Sequence, residues 1–169
     1  MSGEVSSTSS VLGTRFATTA QQHLRILQQY KRIAMVGLSA NPYRPSHFAA
    51  RYMKAAGYEI FPVNPRERTI LGLPCFASLA EVPPPVEIVD IFRETAAVPA
   101  IVEEAIAAGA KVIWMQLGVI HEPAAERALQ AGLEVVMDRC VKIEHARFFG
   151  GLSTLGLNAG VLSAKKRGG

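Results

Sequence analysis

Residues 32–46, RIAMVGLSANPYRPS, carry an apolar run into a glycine and then into a polar loop broken by prolines. The apolar run predicts a buried strand over 32–38 that turns at Gly37. A segment of helical period, SHFAARYMKAA, follows at once and predicts a helix over about 46–56. Strand, glycine turn and helix aim backbone N–H groups and a helix N-terminus at one place, which suits a phosphate. Ser39, Asn41 and Ser46 add donors, and Arg44 adds a fixed charge shaped for bidentate phosphate contact. The dinucleotide fingerprint would demand glycines where this loop has Ser39 and Arg44, so it departs from an ordinary NAD site. A tight turn at Gly37 and a cap at Ser46 would explain those two residues without any ligand.

Outward from that loop, strands and helices alternate. TTAQQHLRILQQY (18–30) reads as an amphipathic helix with Thr18 or Thr19 as its cap. YEIFPV (58–63), PVEIVDIF (about 86–92), KVIWMQLG (111–118) and LEVVMD (133–138) read as further strands. Helices are predicted over about 95–108 and over 122–131, where Pro123 sits in the first turn. A short helix begins at RCVKIEH, and the stretch 64–85 reads as a connection with one helical turn near 77–81. Such βαβ units build a mainly parallel, five-stranded sheet flanked by helices, a single doubly wound, Rossmann-like α/β domain. Residues 1–17 and 149–169 read as tails around a domain at 18–148.

Ligands on such sheets lie beyond the C-terminal ends of the strands. That rule nominates the loops 37–46, 63–68, 91–95, 115–121 and 138–142. The second loop discriminates best. An NAD site wants an acid there for the ribose 2′-hydroxyl, whereas this chain reads VNPRER, with Asn64, Pro65, Arg66 and Arg68. Two arginines, with no acid at the strand end and Glu67 only later, favour a nucleotide with an extra ribose phosphate, as in NADP or coenzyme A. Surface arginines of no special role would give the same letters. Phe92 and Arg93 leave the third strand, one able to wall an adenine and the other to reach a pyrophosphate. Trp114 and Met115 read as core, with Gln116 and Gly118 beyond them at the ligand edge. Cys140, beside Arg139 and a helix start, is either a reactive thiol or a packed one. Glu144 and His145 are adjacent and therefore point apart on a helix. No nucleophile–base–orienter set emerges, so catalysis of its own is not expected.

The 169 residues, 49% apolar and 19% charged, suit one folded domain and argue against disorder. No apolar run is long enough for a membrane span, and the Ser- and Thr-rich start lacks the layout of a secretory signal. Two distant cysteines argue against a disulfide framework and for a reducing cytoplasm. Scattered histidines give no metal motif. A net charge of +4 spread along the chain, with few aromatics, speaks against nucleic acid and suits a polyanionic small ligand.

VGLSANPYRPSH, VNPR, the LG–ASL stretch at 71–79, VDIFR, WMQLGV and MDRCVKIEH together carry a resemblance over about 20–148. The chain resembles the small stand-alone CoA-binding proteins, whose domain is similar to the N-terminal CoA-binding domain of the succinyl-CoA synthetase alpha subunit. The resemblance implies coenzyme A as cofactor, held at the pyrophosphate by Gly37, Ser39, Asn41 and Arg44, with Ser46 at the helix start. It implies Val63, Asn64, Pro65 and Arg66 along the adenosine and 3′-phosphate, and Phe92, Arg93, Gln116 and Gly118 completing the crevice. The synthetase's phosphohistidine domain has no counterpart here, so His145 is not given that role. The expected function is binding of CoA or an acyl-CoA as a carrier, sensor or accessory unit, either as a homo-oligomer or with an acyl-CoA enzyme. An NADP-dependent oxidoreductase and a redox module forming a CoA mixed disulfide at Cys140 are the alternatives.

Overall fold

The computed structural model describes residues 16–149. Strands Arg32–Val36 (β1) and Glu59–Val63 (β2) join Ile88–Ile91 (β5), Val112–Met115 (β6) and Glu134–Val136 (β7) in one sheet. Their order is β2–β1–β5–β6–β7, and every neighbouring pair is parallel. Thr69–Ile70 (β3) and Leu73–Pro74 (β4) form a separate antiparallel arm. The helices are Ala20–Gln29 (α1), Pro45–Ala55 (α2), Val98–Ala107 (α3), Glu122–Gln130 (α4) and Val141–Phe149 (α5). The single α/β domain expected from the sequence is thus present, with helices on both faces. The chain steps from β1 outward to β2, then returns across β1 to β5. The strand order therefore reverses between β1 and β5, and a crevice opens there.

Alternation along each strand builds two cores. Ala34, Val36, Val89, Ile91, Ile113 and Met115 meet α3 and α4. Ile33, Met35, Ile88, Val112 and Trp114 meet Ile26 and Leu27 of α1, Ala49 and Met53 of α2, and Val141 of α5. Helix α1 starts with a capping box. The Gln22 N–H donates to Thr19 Oγ1 at 3.2 Å and the Thr19 N–H to Gln22 Oε1 at 2.9 Å. That device is worth about 1 kcal/mol.

The predicted strands shorten in the structure, and the connection contains the β3–β4 arm that the sequence did not announce. Its two-residue turn is Leu71-Gly72, both at positive φ. A turn of that kind usually declares itself with Asn-Gly or Asp-Gly, and leucine hides it. Of the expected tails, Phe16 and Ala17 are described: Phe16 bridges to Val135, and the Ala17 N–H donates to the Val135 carbonyl at 2.9 Å. Phe149 closes α5. The rest of both tails lies outside the described residues.

Glu144 and His145 do point apart. Glu144 is buried against His23, Oε1 to Nδ1 at 2.5 Å, while His23 Nε2 lies 2.8 Å from the Ala17 carbonyl. His145 Nδ1 lies 2.9 Å from the Tyr52 hydroxyl. Burial, reinforced by Lys31, pushes the His145 imidazole below its ordinary value.

Candidate functional site at the C-terminal edge

The β1–α2 loop leaves the sheet at Gly37, whose φ of +88° is a conformation that favours glycine. Its N–H donates to the Val63 carbonyl at 3.0 Å, tying the ends of β1 and β2. Asn64 continues that tie: its Nδ2 donates to the Leu38 carbonyl at 3.0 Å, and its Oδ1 accepts from the Arg66 N–H at 2.9 Å. The first two loops are therefore one hydrogen-bonded unit. Further along, the Ser39 N–H donates to Ser46 Oγ, the Asn41 N–H to Ser39 Oγ, and the Tyr43 N–H to Asn41 Oδ1. Ser39, Asn41 and Ser46 thereby shape the loop. Arg44 occupies the cap position of α2 with no side-chain cap bond. In the first turn of α2, His47 is buried and its Nδ1 has no hydrogen-bond partner.

A cavity of about 480 Å³ opens at the ends of β1 and β2. Gly37, Val63, Asn64, Pro65, Arg66 and Arg93 line it, so it gathers six of the thirteen residues nominated from the sequence. Its remaining wall is Val36, the stretch Ala77–Leu79, and Ile101 and Glu104 of α3. Sequence reading missed those residues. The ASL letters of 77–79 were the one signal that could have nominated part of the wall. Ser39, Asn41, Arg44 and Ser46 sit on the same sheet edge but outside this lining, toward α2. Phe92 is half-buried against the core under α1, α2 and α5.

Gln116 and Gly118 lie further along the edge, with their polar groups engaged. Gln116 Oε1 accepts from the Val141 N–H at 3.0 Å, and the Gly118 N–H donates to Asp138 Oδ1 at 2.7 Å. Cys140 is half-buried in the loop between β7 and α5, a strand beyond Gln116.

The electrostatics are basic at the mouth. Arg44 and Arg66 have no acidic partner among the described residues, whereas Arg93 forks onto Glu94 through Nε at 3.1 Å and Nη2 at 2.9 Å. That pairing pushes Arg93 above the ordinary guanidinium value. Arginines without an acidic partner can take up phosphates, and the aliphatic wall can take a flat base. Among the described residues no three His, Cys, Asp or Glu side chains gather to hold a metal ion. No described helix is long and apolar enough to cross a membrane.

Comparison with known proteins bears on the fold and the family. YneT of Bacillus subtilis (strain 168), an uncharacterized protein, is 44% identical over 121 residues, covering 72% of this chain and 90% of YneT. A solved structure of a hypothetical protein from Pyrococcus horikoshii OT3 is 38% identical with a TM-score of 0.76, over 79% of this chain and 94% of that one. The ADP-forming acetate–CoA ligase I of Archaeoglobus fulgidus is 26% identical over 66% of this chain, a match that spans 18% of the ligase. The family model described as a CoA binding domain matches residues 31–146, and the chain belongs to that family.

Proposed function

We propose that this chain binds coenzyme A along the C-terminal edge of the sheet and acts in the cytoplasm as a carrier, sensor or accessory unit without chemistry of its own. The adenosine occupies the cavity between Val63, Pro65 and the α3 wall, and Arg66 takes the 3′-phosphate. The pyrophosphate lies over Gly37 within reach of Arg44 and Arg93, at the α2 N-terminus shaped by Ser39, Asn41 and Ser46. Phe92, Gln116 and Gly118 border the way out along the edge. One observation carries this reading: a cavity large enough for a nucleoside runs from the ends of β1 and β2 to Arg93 beyond β5, across the reversal of strand order, and it holds Arg66 where an NAD site would hold an acid. The arginines alone would suit NADP equally, and the family supports CoA over it.

A thermal-shift panel with CoA, acetyl-CoA, NADP and NAD tests the reading. At a hundredfold excess over Kd a ligand adds about 2.7 kcal/mol, which raises Tm by about 5–10 °C for a chain of this size. CoA should give that shift and NADP none. A shift with NADP and not CoA would replace this reading with the oxidoreductase one.

A further inference from the structure

Large exposed apolar side chains are unevenly placed on this molecule. Among the described residues there are six, and five stand on loops or first helical turns at the C-terminal edge: Tyr43, Phe48, Leu117, Ile120 and Ile143. The sixth, Phe149, ends α5. Leu117 is the most exposed of those beyond β5, at 66%, with Ile120 at 48%.

Leu117 is not a loosely held loop residue. It is the second residue of a tight turn in which the Val119 N–H donates to the Gln116 carbonyl at 2.8 Å and Gly118 takes φ +86°. Those values fit a type II turn, with the glycine at the position that requires it. The turn is then pinned from its neighbour. Asp138 Oδ1 holds the Gly118 N–H, Gln116 Oε1 holds the Val141 N–H, and the Arg139 N–H donates to the Met115 carbonyl at 3.2 Å. A leucine offered to solvent on so fixed a support is preorganised for an apolar partner.

The strand order says which partner. β6 lies two strands from β1, about 10 Å at about 4.8 Å per strand. The pantetheine arm of CoA has the reach of about four extended residues, roughly 14 Å. Adenosine fills the β2 side of the crevice, so an arm leaving the pyrophosphate over Gly37 runs toward β6 and delivers its sulfur end at the 116–120 turn. We infer that Leu117 and Ile120 form a docking surface for the acyl group of an acyl-CoA thioester, so that a medium-chain acyl-CoA is the preferred ligand over free CoA. This inference rests on the CoA reading above and names the ligand class for the same edge.

Calorimetric titrations of the full chain with CoA, acetyl-CoA and octanoyl-CoA test it, alongside the double variant Leu117→Ser, Ile120→Ser. Octanoyl-CoA should bind the wild type about tenfold or more tightly than CoA, from burial of several methylenes. In the double variant that advantage should vanish while CoA affinity stays within about twofold, since both side chains were exposed. Equal affinities for CoA and octanoyl-CoA in the wild type would overturn the inference, as would an acyl advantage that survives the double substitution. Absence of CoA binding altogether would overturn the coenzyme reading itself, and this inference with it.

Discussion

A side chain at position 37 would collide with Arg93: a Cβ built on Gly37 stands 2.9 Å from Arg93 Cδ and 3.1 Å from Cγ. The glycine at the end of β1 thus lets the arginine that leaves β5 lie across the reversal point of the sheet. Gly37→Ala should cost stability by about 1–3 kcal/mol through its positive φ. It should also displace Arg93 and weaken CoA binding tenfold or more. Calorimetry at a temperature where the variant is folded separates the two effects. Unchanged affinity would mean that Arg93 is not held over the ligand by this contact.

Arg44 carries an unpaired charge at the start of α2. Losing a charge-assisted phosphate contact costs about 1.5–3 kcal/mol, so Arg44→Ala should raise the Kd for CoA by a decade or more. Because Arg44 makes no side-chain cap bond, the melting temperature without ligand should barely move. An Arg44→Ala protein that binds CoA like the wild type would take this residue out of the site.

Asp90 sits in mid-sheet between Met35 and Trp114, completely buried, and neither carboxylate oxygen has a hydrogen-bond partner. Burial pushes its acid far above the ordinary aspartate value. Because the folded state holds the proton more tightly than the unfolded one, Asp90 favours folding at low pH. That contribution is lost as pH rises from the ordinary aspartate range, about 4, toward the raised folded value. Asp90→Asn cannot titrate, so its stability relative to wild type should improve steadily over that rise. Urea unfolding followed by the single tryptophan, Trp114, checks this. Parallel stability–pH curves for the two proteins would show that Asp90 takes up its proton alike in the folded and unfolded chains, contradicting the shift by burial.

The His23–Glu144 pair joins α1 to α5 across 121 positions and is almost wholly buried. Removing one partner of a buried pair strands the other, at a cost of about 3–5 kcal/mol. Glu144→Ala should therefore lose that much in urea unfolding, with Glu144→Gln losing less. CoA affinity of the folded protein should be unaffected, since the pair lies outside the cavity lining. A loss under about 1 kcal/mol for Glu144→Ala would show that the pair behaves like an exposed one.

What could be read in the sequence follows from periodicity. β1, the Gly37 turn and α2 were legible because an apolar run gives way to helical period around one glycine. The helix cap at Thr19 was legible for the same local reason. The far wall of the cavity was not. Ile101 and Glu104 reach the ends of β1 and β2 because the chain crosses back over β1, and Ser78 because Phe76 bridges to Val63; neither pairing leaves a mark on local composition. Gln116 shows the converse. Its place at the edge was legible, whereas its hydrogen bond to the Val141 N–H, 25 residues on, was not. The β3–β4 arm escaped because Leu71 occupies a turn position where asparagine or aspartate would have signalled it.

The central claim is that the ends of β1 and β2 hold a nucleotide with a phosphate on its ribose, read by Arg66. Calorimetric titration of CoA and of dephospho-CoA into wild type and Arg66→Ala tests it most directly. The expected result is that the wild type binds CoA at least tenfold more tightly than dephospho-CoA, a preference worth about 1.5–3 kcal/mol, and that Arg66→Ala binds the two alike. Equal affinities in the wild type, or a preference that outlives the arginine, would contradict it.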